Sequence, residues 1–184
     1  MRIIAGKHKG RSLIVYRGKN RGSSKNKKKL PYRPTTDFLR ETLFNIISGR
    51  VVDCSFADIF AGCGSVGIEA ISRGASNVTF VDSNLQNINV IKDNLKKIDE
   101  KADVLKSDAI NFLKNPDKSY DIVFIDPPYY LDYENRCIYA ALNSEILNPG
   151  GIMILQHHIK VNLKFEPYDK RKYIPNVLSF YKKE

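Results

Sequence analysis

Apolar and polar positions along the chain form blocks that predict strands and helices in turn. From about residue 55, short apolar runs predict strands at 56–60, 78–81, 104–105, 122–125, 152–155 and 178–181. Between most of them, apolar residues recur at helical spacing, over 65–73, 84–98, 109–113 and 133–147. Repeated strand–helix units predict a doubly wound, Rossmann-like α/β fold with a seven-strand, mostly parallel sheet.

The first 50 residues follow a different pattern. Short apolar stretches at 3–4 and 13–15 flank Gly6 and Gly10, which predicts a hairpin-like arrangement. Residues 18–30 are a Gly/Ser/Lys/Asn-rich segment typical of a loop, and a helix is predicted from Asp37 to about Ile47. We therefore divide the chain into an N-terminal extension, 1–50, and an α/β domain, 51–184.

Basic residues are concentrated in this extension. It holds 14 Lys and Arg against Asp37 and Glu41, whereas the remainder holds 16 basic and 18 acidic residues. This asymmetry favours a polyanionic partner, the alternative being a solvated basic tail. The residues expected to contact phosphates are Arg2, Lys7, Lys9, Arg11, Arg33 and Arg40.

Other features of the composition narrow the setting. The chain has no long apolar run and no apolar stretch behind its basic N-terminus, so we expect neither a membrane span nor a secretory signal. Its three cysteines lack the spacing of a disulfide framework or a zinc site, which favours the reducing cytoplasm. We expect a monomer without a metal.

A glycine-rich motif, Asp58-Ile-Phe-Ala-Gly62-Cys-Gly64-Ser-Val-Gly67, follows a predicted strand and opens a predicted helix. Glycines let the backbone approach a ligand closely, and Asp82 at the next strand end can accept from both ribose hydroxyls of a nucleoside. The same pattern fits a dinucleotide. Asp58 favours S-adenosylmethionine instead, because a carboxylate there repels a pyrophosphate and attracts the methionine ammonium.

A further carboxylate, that of Asp108, follows the third of these strands. It can accept from the adenine amino group, cap the following helix, or do both. The full set of expected cofactor-binding residues is Asp58, Phe60, Ala61, Gly62, Gly64, Gly67, Asp82, Ser83, Asp108 and Ala109.

The sequence Asp126-Pro127-Pro128-Tyr129 follows the apolar strand Tyr-Asp-Ile-Val-Phe-Ile. Prolines fix the backbone and cannot donate, so the Asp126 carboxylate and the Pro127 carbonyl can both accept from one amino group. This directs the lone pair of an exocyclic base nitrogen towards a methyl donor, while the Tyr129 ring offers a face for stacking the base. Asp126, Pro127, Pro128 and Tyr129 are therefore the candidate catalytic residues.

Several blocks together resemble the RsmD family of bacterial 16S ribosomal RNA methyltransferases. They are the glycine motif with its downstream DPPY, the N-terminal RIIAG and KGRSL stretches, and RPTTD-x-x-RETLFN at 33–45. The resemblance runs through nearly the whole chain. It implies an S-adenosylmethionine-dependent methyltransferase fold, ribosomal RNA in a small subunit or its assembly intermediate as partner, and the N2 of a 966-type guanine as target.

Three other functions compete with this one. A DNA adenine-N6 methyltransferase uses similar DPPY chemistry, although 184 residues leave no room for a separate sequence-reading domain. A nicotinamide-dependent oxidoreductase fits the glycine motif and leaves DPPY unexplained. A catalytically silent RNA-binding module would not bind the cofactor.

Overall fold

A computed structural model describes residues 1–15, 36–128 and 132–183. The strands are β1 (Ser55–Ile59), β2 (Asn77–Asp82), β3 (Asp103–Lys106), β4 (Tyr120–Ile125), β5 (Leu147–His158), β6 (Asp169–Tyr173) and β7 (Asn176–Lys182). The helices are α1 (Asp37–Ile46), α2 (Ser48–Val51), α3 (Ser65–Ser72), α4 (Leu85–Ile98), α5 (Ala109–Lys114) and α6 (Tyr133–Leu142). None of the described helices is long and apolar enough to span a bilayer.

The strands form one sheet in the order β3-β2-β1-β4-β5-β7-β6. β1 to β5 are parallel, while β7 runs antiparallel to both β5 and β6. The sheet therefore confirms the predicted doubly wound, mostly parallel fold. The chain moves outward from β1 through β2 to β3 and then returns to place β4 on the other side of β1. This reversal creates a topological switch point, where open α/β sheets bind ligands at the carboxyl ends of their strands.

Helices cover both faces of the sheet. One apolar cluster packs α1, α3 and α4 against one face, around residues such as Phe44, Phe56 and Phe80. A second cluster packs α5 and α6 against the other face, around Val123 and Ile138. Burial of the alternating strand residues on both faces explains why the central strands read as continuous apolar runs.

Short polar side chains fix where the helices begin. Thr36 Oγ1 accepts from the Leu39 amide at the start of α1, and Asn84 Oδ1 accepts from the Gln86 amide at the start of α4. Both helices begin within one residue of the sequence prediction.

The N-terminal segment forms the predicted hairpin, with less strand than expected. Arg2 and Ser12 form one antiparallel bridge, and the Ile3 amide donates to the Arg11 carbonyl at 2.9 Å. Ile3 and Leu13 belong to the same apolar cluster as α1, α3 and α4. The described part of the extension is thus packed onto the catalytic sheet.

The structure corrects two expectations in the C-terminal third. The helix predicted to reach residue 147 ends at Leu142, and Leu147 already starts β5 opposite Tyr120. β6 has the polar sequence Asp-Lys-Arg-Lys-Tyr and was not predicted, because an exposed edge strand lacks an apolar alternation.

Candidate active site

The functional carboxylates lie at one edge of the sheet. Asp82 ends β2, Asp58 is the last residue but one of β1, and Asp108 and Asp126 follow β3 and β4. Because these four strands are parallel neighbours, their carboxyl ends meet at this edge. Phe60 and Asp126 directly follow the paired residues Ile59 and Ile125, so the glycine motif and the DPP segment are adjacent across the switch point.

The glycine loop has an unusual backbone from Phe60 to Gly64. Phe60, Gly62 and Gly64 have φ angles of 62, 58 and 78°, in the left-handed region that favours glycine. The Ala61 amide donates to the Val81 carbonyl at 3.0 Å, which ties the loop to β2. A non-glycine residue at positive φ is uncommon and tends to occur at functional sites, and Phe60 is such a residue.

Asp58 is buried beneath this loop, where its Oδ2 accepts from the Gly67 amide at 2.8 Å. Burial raises the pKa of the Asp58 carboxyl well above its ordinary value, the Gly67 hydrogen bond partly opposes this, and the charges of Asp126 and Asp82 add to it. Three acidic side chains thus act on one another here, an environment that favours a bound cation.

Gly67 has a structural role, while the cofactor contact expected for it stays a prediction. A Cβ at this position would lie 2.3 Å from Cε1 of Phe80, so the absence of a side chain lets α3 pack against β2. Its amide is already donated to Asp58. The structure therefore assigns Gly67 to packing and to holding Asp58.

Asp82 anchors the glycine loop directly. Its Oδ2 accepts from the Gly62 amide at 2.9 Å and from Asn87 Nδ2 at 3.0 Å, and its Oδ1 accepts from the Asn84 amide at 2.8 Å. A carboxylate has about four acceptor positions. Three of these positions already accept hydrogen bonds. One ribose hydroxyl can therefore bind at the fourth position without rearrangement, whereas a second hydroxyl requires the Asn87 side chain to turn away. Ser83, next in the chain, is exposed.

Asp108 performs the capping role predicted as one of its two possible roles. Its Oδ1 accepts from the Asn111 amide at 2.9 Å, which starts α5 at the buried Ala109. The Asp108 side chain is exposed at the same sheet edge as Asp82 and can be reached by a ligand.

The DPP segment leaves β4 beside the glycine loop. Asp126 is half-buried, and its amide donates to the Ile59 carbonyl at 3.3 Å; Pro127 is buried and Pro128 exposed. Tyr129 lies outside the described residues. The Phe60 ring is 5.8 Å from that of Tyr133 in an edge-to-face arrangement, so these two rings form an aromatic pair close to Asp126.

The residues expected to contact phosphates have different surroundings. Arg2, Lys9 and Arg11 are exposed on the hairpin. Lys7 is exposed too, but its Nζ lies 2.7 Å from Glu100 Oε1, which reduces its availability to a phosphate. Arg33 lies outside the described residues.

Arg40 does not lie on the surface, which corrects its predicted role in phosphate binding. Its side chain is 0% exposed, with Nε 3.6 Å from Glu69 Oε2 and Nη2 donating to the Arg2 carbonyl and to Asp37. Glu69, also fully buried, accepts from the amides of Ile4 and Ala5. Arg40 therefore holds the hairpin, α1 and α3 together.

Three residues with structural roles at the site were missed in the sequence. Asn87 holds Asp82; Tyr133 pairs with Phe60; and buried Asn94 donates to the carbonyls of Ile14 and Cys63, which joins the hairpin to the glycine loop. Asn94 interrupts the apolar stripe of α4, a signal that could have identified it as a buried polar contact.

Comparison with known proteins adds to this geometry. A family model described as conserved hypothetical protein 95 matches residues 1–182. Ribosomal RNA small subunit methyltransferase D of Haemophilus influenzae is 33% identical over 161 residues, which cover 85% of this chain and 78% of that protein. The protein of the same name from Buchnera aphidicola subsp. Baizongia pistaciae is 34% identical, over 91% of this chain and 81% of that protein.

The chain belongs to the ribosomal RNA small subunit methyltransferase D family. This confirms the family resemblance found in the RPTTD and DPPY blocks.

Solved structures agree with this assignment. A putative methyltransferase, yhhF, from Escherichia coli has a TM-score of 0.83 and 27% identity, covering 100% of this chain and 98% of that one. A 16S rRNA N2 methyltransferase, RsmC, from Thermus thermophilus was solved in complex with AdoMet and guanosine. It has a TM-score of 0.69 and 23% identity over 85% of this chain and 45% of its own, which shows a shared fold.

Proposed function

We propose that this protein transfers a methyl group from S-adenosylmethionine to the N2 of a guanine in small-subunit ribosomal RNA, the 966-type guanine of the family resemblance. The observation that carries the proposal is the adjacency of the DPP segment and the glycine loop across the β1–β4 switch point. A ligand bound on the loop and an amino group bound at Asp126 would meet there. Family membership supports the ribosomal substrate, and the reducing cytoplasm suits three buried cysteines that form no disulfide among the described residues.

The residues around the glycine loop fit S-adenosylmethionine. The cofactor supplies an electrophilic methyl group carried on a sulfonium. Asp58 would interact with the cationic methionine part, because a nearby cation favours the ionised form of this carboxyl and opposes the burial that raises its pKa. Asp82 would accept from a ribose hydroxyl, and Asp108 would accept from the adenine amino group while it caps α5.

The DPP segment would orient the guanine amino group. Asp126 and the Pro127 carbonyl would each accept one of its hydrogens, which favours a tetrahedral nitrogen with its lone pair aimed at the methyl group. Asp126 would also stabilise positive charge that develops on this nitrogen during transfer. No covalent intermediate with the protein is needed, because positioning and electrostatic stabilisation suffice for an in-line transfer.

Asp126→Ala tests this role. It should lower the single-turnover rate of methyl transfer to ribosomal RNA by about a hundredfold or more, since it removes one preorganised polar group. The affinity for S-adenosylmethionine, measured by calorimetry, should change much less. Asp117→Ala is the matched control, because it removes an exposed carboxylate near the opposite end of β4. A near-normal rate in the Asp126 variant contradicts the role.

A further inference from the structure

An exposed apolar cluster lies at the open edge of the sheet. Phe38 on α1 is 65% exposed, and Ile174 in the turn between β6 and β7 is 80% exposed. The Phe38 ring lies 6.1 Å from that of Tyr173, edge to face. Ile159 joins them, because its amide donates to the Pro175 carbonyl at 2.9 Å. We call these four residues (Phe38, Ile159, Tyr173 and Ile174) the β6 rim.

The rim faces the same edge of the sheet as the candidate active site. Tyr173 pairs with Asn176, which pairs with His158, three residues beyond Leu155; Leu155 in turn pairs with Ile125, next to Asp126. Three strand spacings separate β4 from β6, about 14 Å across the sheet. The rim and Asp126 thus share one edge of the sheet, at a separation that a few nucleotides can span.

Basic side chains border the rim. Lys160, Lys170 and Lys172 are exposed, and none of them forms an ion pair with an acidic residue among those the structure describes. The nearby carboxylates of Asp37 and Asp169 are paired with Arg40 and Arg171, and the exposed Glu41 of α1 adds one negative charge against the three lysines. The local excess of charge is therefore positive, although residues 51–184 as a whole are slightly acidic.

The alternation of side chains along β6 places its lysines and its aromatic residue on opposite faces of the sheet. Lys170 and Lys172 alternate with Tyr173, so they leave β6 on the face opposite the Phe38–Tyr173 pair. A bound polymer that crosses this edge over the β6–β7 turn would contact aromatic rings on one face of the sheet and lysine ammonium groups on the other face. Protein-binding surfaces are typically depleted in lysine, whereas single-stranded nucleic acids bind where aromatic faces adjoin basic groups.

We propose that the β6 rim binds unpaired nucleotides of the substrate RNA that flank the target base. Bases stack on Phe38 and Tyr173, Ile174 and Ile159 add apolar contact, and the three lysines contact phosphates. This proposal rests on the proposed function and gives the catalytic sheet its own RNA contact, separate from the hairpin. The rim would add affinity for the RNA without contacting the target base.

The test compares Phe38→Ala and Ile174→Ser with two exposed controls, Tyr168→Ala and Val52→Ser, which are 54 and 66% exposed away from this edge. Phe38→Ala should weaken binding of small-subunit ribosomal RNA about tenfold, as expected for loss of one base-stacking contact. Ile174→Ser should also weaken it, but less, since it removes only an apolar contact. The single-turnover rate at saturating RNA should stay within about twofold of the parent, as should RNA affinity in the controls. Rim variants that bind RNA as tightly as the controls overturn the proposal.

A photocrosslink identifies the occupant. Benzoylphenylalanine placed at position 38 should crosslink to the RNA on irradiation. Crosslinking to residues 16–35 of the same chain, to a second copy or to a ribosomal protein instead of RNA overturns the proposal. Methyl transfer by the parent protein is measured separately, and its absence refutes the proposed function. The RNA affinity of each rim variant relative to the parent tests the rim.

Discussion

Asp58 is buried beside two other acidic residues, and its ionisation is therefore costly in the free protein. Because burial raises the pKa of this carboxyl, the folded state favours the protonated form more than the unfolded chain does. Stability contributed by the protonated form is present at low pH. It is lost as the pH rises from about 4, the ordinary value, through the raised pKa.

Asp58→Asn should have opposite effects on the stability of the free protein and on its affinity for S-adenosylmethionine. It should raise the free energy of unfolding of the free protein at pH 7, because the amide oxygen can still accept from Gly67 and the penalty linked to the raised pKa of the carboxyl is removed. The gain should shrink at acid pH. The same change should weaken S-adenosylmethionine binding by at least about tenfold, because the ammonium loses its buried partner.

Denaturant unfolding at several pH values and calorimetry measure the two effects. Asp117→Asn, an exposed change, serves as the control and should alter neither. A less stable variant at pH 7, or one with the parent's affinity for the cofactor, contradicts the account of Asp58.

Among the elements, α3 contacts both the hairpin and α1 through buried hydrogen bonds and an ion pair. Glu69 on α3 accepts from two hairpin amides and from Arg73 Nε, and forms an ion pair with Arg40 of α1. Since α3 begins at the glycine loop, this buried cluster also fixes the hairpin relative to the cofactor site.

Glu69→Gln should lower the free energy of unfolding by up to about 3–5 kcal/mol, because it removes the buried carboxylate of Arg40 and leaves only the exposed Asp37 as its ionic partner. Combining it with Arg40→Met should restore part of that loss, since the uncompensated charge is then removed. Denaturant unfolding of the two single variants and the double variant measures the coupling. A double variant as unstable as the sum of the single changes would show that Arg40 and Glu69 act independently.

The sequence was most informative where a carboxylate residue lies close to the end of a predicted strand. Asp58, Asp82 and Asp126 were singled out because each sits within one residue of the end of an apolar strand, and parallel strands bring such ends together. Arg40 was misassigned because it belongs to a basic segment. Its burial depends on Glu69, which lies 29 residues away in the sequence and gives no local signal.

The end of α6 was predicted wrongly, and β6 was missed, for related physical reasons. The apolar residues at 146 and 147 continue the helical spacing of α6, so the sequence could not reveal that the chain reverses after Leu142. β6 is strand-forming only because β7 offers a hydrogen-bonding partner. That missed strand carries Tyr173 of the rim and Lys170 and Lys172, which border it. A second basic surface was therefore not recognised in the sequence.

At the scale of the whole molecule, two basic surfaces accompany one acidic site. The hairpin presents Arg2, Lys9 and Arg11, while Lys160, Lys170 and Lys172 border the β6 rim. Positive charge beside the site attracts a polyanion, and under the proposed function the carboxylates bind the cofactor and the amino group. Recognition and chemistry are thereby assigned to different residues.

The central claim is methyl transfer to a guanine amino group of small-subunit ribosomal RNA. The most direct test incubates the protein with labelled S-adenosylmethionine and small ribosomal subunits that lack the modification, followed by digestion of the RNA and mass spectrometry of the labelled nucleoside. The account predicts N2-methylguanosine at one position, absent when Asp126→Ala replaces the parent. Unlabelled ribosomal RNA, a label on another base, or preferential labelling of adenine in duplex DNA would contradict it.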